Sequence, residues 1–78
     1  MKKIYELREK IDELDEKIIK LVEERYVLCE EIWKLKRDNG LPLKDAEREE
    51  EIKEGFAGAE LPKGFVEDFF ELFFREVK

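Results

Sequence analysis

Residues 4–35 read IYELREKIDELDEKIIKLVEERYVLCEEIWKL, and their spacing decides the fold. Apolar side chains recur at Ile4, Leu7, Ile11, Leu14, Ile18 and Leu21, then at Leu28, Ile32 and Leu35. Alternating steps of three and four are the a/d heptad pattern of a helix packed along its length. One position breaks it. Where the seam calls for an apolar residue after Leu21, the chain has Arg25. A guanidinium in a packed seam is costly unless an anion meets it. An internal carboxylate or a bound anion is therefore expected beside Arg25.

Working outward, the helical pattern runs from about residue 2 to residue 39, so at ~1.5 Å per residue the rod is roughly 55 Å long. A compact monomer of this length has a radius of gyration of roughly 11–12 Å. The short helices that follow cannot cover the whole seam, so a C2 homodimer is the expected solution. Asn39-Gly40 followed by Pro42 stops helix 1. Leu41 to Lys44 form a short extended link, and Asp45 caps helix 2, about residues 45–57. Glu47 and Glu49 lie in its dipole-favoured first turn. Helix 2 fades around Gly55 to Gly58, and Pro62 suits the first turn of helix 3, about residues 62–77. Val66, Phe69, Phe70, Leu72, Phe73, Phe74 and Val77 wrap around most of helix 3, which calls for cover on several sides, from a partner subunit. The expected architecture is all-α: one long and two short helices in a single domain, residues 1–78, forming an intertwined helical-bundle homodimer.

Charged residues make up 49% of the chain and the net charge is −6. No basic run interleaved with aromatics appears, which argues against nucleic acid as a partner. Acids alternate with bases at helical spacing (Glu6 with Lys10, Glu13 with Lys17, Glu16 with Lys20, Glu30 with Lys34), the mark of a solvated face. No segment is long and apolar enough for a membrane span, and Lys2-Lys3 lead into a charged helix without an apolar leader. A reducing cytoplasm is the expected compartment, with the single Cys29 a buried thiol. Ser, Thr, Gln and His are absent, while Lys and Glu abound, a thermophile-like bias. Without His, Ser or Thr the usual hydrolase triads are excluded, as is a His-based metal site. What remains is chemistry by electrostatics and conformational restraint.

Arg25, Cys29, Ile32 and Lys36 share one stripe of helix 1, with Arg25 and Lys36 ~16 Å apart along the axis. Asp45, Arg48, Glu49 and Ile52 form a second stripe on helix 2. If the link folds helix 2 back, Arg48 and Glu49 approach Lys36 and make a cationic pocket with one carboxylate. Arg8 is about 25 Å from Arg25 on the same helix, too far to share a small ligand within one chain. It could reach that region from the other chain of an antiparallel dimer. Plainer readings stand beside these. Arg25 could be a register-setting salt-bridged residue, Arg8 a snorkelling surface arginine, and Lys36 and Arg48 solvated charges.

The joint occurrence of Leu7-Arg8-Glu9-Lys10-Ile11-Asp12-Glu13-Leu14-Asp15, Glu24-Arg25, Lys36 and Asp45-Ala46-Glu47-Arg48-Glu49 resembles the all-α chorismate mutases. Residues 4–52 align without a gap. The resemblance implies that Arg25 and Arg48 bind the two carboxylates of chorismate and that Arg8 reaches in from the other subunit. It implies that Lys36 donates to the ether oxygen and that Glu49, helped by Asp45, holds the ring hydroxyl. The implied reaction is the Claisen rearrangement of chorismate to prephenate on the route to Phe and Tyr, with no cofactor. The family's third helix carries a Gln or Glu that also contacts the ether oxygen, and a small polar residue one turn earlier. Here the earlier position is Val77 and the later one falls beyond Lys78, so the resemblance leaves the level of activity open. Two alternatives remain: isochorismate pyruvate-lyase chemistry on the same fold, and a non-catalytic helical dimerisation or regulatory module. Lys36 inside a helix rather than on a loop leans toward the mutase.

Overall fold

The computed structural model describes residues 1–76. Among these it has three α-helices and no strand: α1 (Lys2–Asp38), α2 (Ala46–Gly55) and α3 (Phe65–Phe74). Their packing divides the chain into two units, one of residues 1–32 and one from Trp33 onward.

The first unit is helix from Lys2 onward, and its heptad seam faces solvent. Ile11 is 54% exposed, Leu14 55% and Leu21 62%, and no residue before Trp33 is buried. Only Val22, Arg25 and Cys29 in this stretch are half-buried. None of the four acid–base pairs expected along α1 closes to ion-pair distance among the described residues. Exposed long side chains gain little from pairing and lose rotamer freedom, so they stay apart.

In the second unit α1 ends in a Schellman motif. The Leu41 N–H donates to the Lys36 carbonyl at 2.8 Å and the Gly40 N–H to the Arg37 carbonyl at 3.2 Å. Gly40 takes φ 67°, the left-handed conformation this cap requires. The Asn39 side-chain amide adds a donor to the Leu35 carbonyl at 2.7 Å. Pro42 follows in the non-helical link, where its missing N–H is harmless. Asp45, in extended conformation, then caps α2 by accepting the Arg48 N–H at 3.1 Å.

Helix α3 starts three residues later than the sequence suggests. The Pro62 carbonyl accepts the Phe65 N–H at 3.1 Å, making residues 62–65 a turn rather than a first helical turn. Gly64, at φ 82°, is the N-cap, and Glu67 and Asp68 complement the helix dipole. The last expected residue of this helix, Val77, lies outside the described residues.

The core of the second unit is small and aromatic. Among the described residues, Trp33 and Phe74 are the buried ones. Helix α3 stacks Phe70 on Phe56, just past the end of α2, with ring centroids 5.3 Å apart. Edge contacts join Phe69 to Phe70 and to Phe73, both at 5.3 Å. Such pairs add about 0.5–1.5 kcal/mol each beyond the area they bury. Lys53 lays its ammonium over the Phe74 ring, 5.8 Å from the centroid. The other side of α3 stays open: Phe65 and Leu72 are each 49% exposed.

Candidate functional site

The link between α1 and α2 gathers most of the residues that the sequence singles out. Three successive residues each engage one of them. The Leu43 carbonyl accepts a hydrogen bond from Lys36 Nζ at 3.2 Å. Lys44 Nζ lies 3.7 Å from Glu49 Oε2. Asp45 Oδ1 accepts the Arg48 backbone N–H. The cause is local. The Schellman turn ends α1 just after Lys36, and the Asp45 cap starts α2. The Glu49 side chain is 16% exposed. Lys36 is half-buried. The link thus engages an ammonium through Leu43 and a largely shielded carboxylate through Lys44.

Arg48 behaves differently from the expectation for a carboxylate clamp. Its Nη1 donates to Glu51 Oε2 at 3.1 Å, one turn along α2, and its side chain is 65% exposed. An exposed pair of this kind is worth about 0–1 kcal/mol, so an incoming carboxylate can displace Glu51 at small cost. Asp45 has one oxygen committed to the helix cap, so its first role here is structural.

Sequence reasoning missed Lys44 and Lys53. Lys44 precedes α2 and pairs five residues ahead, outside the i,i+4 spacing by which helical ion pairs are found. Lys53 reads as part of a charged helix face, yet its side chain is only 26% exposed, spread over Phe74 and paired with Glu50 at 3.8 Å.

In the first unit, Arg8 is exposed and Arg25 half-buried. Arg25 Nη1 donates to Cys29 Sγ at 3.6 Å, one turn along the same face. A thiol is a weak acceptor, so the sulfur contributes to the orientation of the guanidinium rather than to its charge balance. Cys29 is a free, half-buried thiol rather than a fully buried one.

A family model for chorismate mutase type II matches residues 7–78. That span takes in Arg8, Arg25, Lys36, Asp45, Arg48 and Glu49 together. The chain belongs to the type II chorismate mutase family. This is the all-α class of chorismate mutases, in keeping with three helices and no strand among the described residues. Comparison with curated proteins and with solved structures finds no match. Among the described residues no helix is long and apolar enough to cross a membrane.

Proposed function

We propose that this member of the type II family converts chorismate to prephenate. The observation that carries the reading is the link itself, which holds Lys36 and Glu49 by adjacent residues, Leu43 and Lys44. In the rearrangement one ether C–O bond breaks while a C–C bond forms, with no nucleophile and no proton transfer. Negative charge grows on the ether oxygen as the bond breaks. Lys36, donating to that oxygen, stabilises the transition state more than the ground state. Glu49 accepts from the ring hydroxyl and fixes the ring, with Asp45 keeping the start of α2 in place. Arg25 and Arg48 hold the two carboxylates and select the folded, reactive conformer of a flexible substrate. Together these effects must supply on the order of 8 kcal/mol for a millionfold acceleration. No cofactor takes part.

The active form is a homodimer, into whose site Arg8 of the partner subunit reaches. The exposed seam of the first unit supports this: apolar residues at heptad spacing from Ile4 to Ile32, each at least 42% exposed, are a face that a second copy buries. The position of Lys36 inside α1, rather than on a mobile loop, favours mutase over isochorismate pyruvate-lyase chemistry. The pathway role is synthesis of Phe and Tyr, and the compartment is the cytoplasm. Incubating the purified chain with chorismate and following its loss tests the reading. Prephenate should accumulate, and pyruvate release in its place would assign the lyase.

A further inference from the structure

We propose that Lys44 is a positioning residue of the site, acting through Glu49. The proposal rests on the chorismate mutase reading for its kinetic consequence and on the geometry of the link for its physical basis.

Glu49 and Lys44 are unequal partners. The Glu49 side chain is 16% exposed, whereas that of Lys44 is 67% exposed, with 3.7 Å between ammonium and carboxylate. A carboxylate withdrawn from water needs donors or a cation to hold it in one place. Lys44 reaches it from solvent, from the residue just before the Asp45 cap. The neighbouring Leu43 carbonyl meanwhile anchors the Lys36 ammonium at 3.2 Å. Adjacent residues thus set the positions of the cation and the anion that the reaction uses. A shift of the link moves both together.

The exposure of Lys44 also fixes what it does not do. A pair with one partner two-thirds in water adds little to stability. Its effect is on where the Glu49 carboxylate points. Lys44 differs here from Arg25 and Arg48, which would touch substrate. Loss of a substrate-binding cation raises KM. A residue that only aims Glu49 lowers kcat when it is lost, because the substrate still binds but is held away from the reactive geometry.

The test compares Lys44→Ala, Lys44→Met and Lys44→Arg in the full chain, by steady-state kinetics with chorismate and by thermal unfolding. The Ala and Met variants should lose about tenfold in kcat with KM within about twofold, melt with the parent, and be rescued by Lys44→Arg. Unchanged kcat in both variants overturns the proposal. So does a tenfold rise in KM at unchanged kcat, which would make Lys44 a direct substrate ligand. A second measurement does not depend on turnover: the Glu49 side-chain carboxyl carbon signal in NMR. It should move in Lys44→Ala and return in Lys44→Arg. If the parent chain fails to convert chorismate, the functional reading falls while this signal still decides the positioning claim. A signal that stays in place in Lys44→Ala overturns it.

Discussion

Arg25 offers the clearest single-residue test of the proposed site. It interrupts an otherwise apolar heptad, and its Nη1 is oriented by the Cys29 sulfur. Arg25→Leu completes the seam, so it should fold with equal or higher melting temperature. It should also lose roughly 100-fold or more in kcat/KM, the scale for removing one fixed charge from a reacting site. A folded Arg25→Leu protein with full activity contradicts the role given to this residue. Arg48 offers a finer test, because Glu51 occupies its guanidinium at 3.1 Å. Glu51→Gln removes a competing carboxylate and should lower KM for chorismate about twofold, given how little an exposed pair is worth. A raised KM would mean that Glu51 orients Arg48 rather than competing for it. The sequence could not reveal this pairing. Arg48 has acids on either side and one turn away, and only the side-chain rotamer decides which of them it meets. The same holds for Lys44, whose partner lies outside helical spacing.

At the scale of elements, what was legible was local. The stop of α1 at Asn39-Gly40 and the start of α2 at Asp45 each follow from a few side chains acting on adjacent backbone, and both appear as expected. The start of α3 was not legible. Pro62 is well suited to a first helical turn, but Gly64 in the left-handed conformation turns the chain first and delays the helix to Phe65. Two substitutions test the elements that frame the link. Asp45→Ala removes the α2 cap and should cost about 1 kcal/mol, lowering the melting temperature by roughly 4–8 °C in a domain of this size. Gly40→Ala finds open space around its Cβ, so crowding does not oppose it. The strain is in the backbone, φ 67°, and should cost about 1–2 kcal/mol. Because the Schellman turn leads directly into residues 43–45, Gly40→Ala should also lower kcat/KM. Unchanged stability together with unchanged kinetics would show that the turn does not set the link.

For the whole molecule, the governing fact is the exposed apolar seam. A helix with apolar residues every third or fourth position and a solvent-facing seam in the first unit is what the proposed homodimer would bury. Light scattering at micromolar concentration should give about twice the chain mass of 9.5 kDa. On the proposed reading, in which Arg8 of the partner subunit completes the site, Leu14→Glu in the middle of that seam should shift the species toward monomer and abolish activity. A parent protein that remains a monomer removes the argument for a shared site. The residue bias, rich in Lys and Glu and poor in amides, expects a melting temperature above the ~45–65 °C of mesophile domains, and melting within that range would contradict it.

The most direct measurement is turnover of chorismate by the purified chain, followed by loss of its absorbance and by detection of prephenate, with Arg25→Leu as the paired control. The account expects prephenate from the parent protein and at least about a hundredfold less from the folded variant. No prephenate from the folded parent, or equal rates from parent and variant, would contradict it.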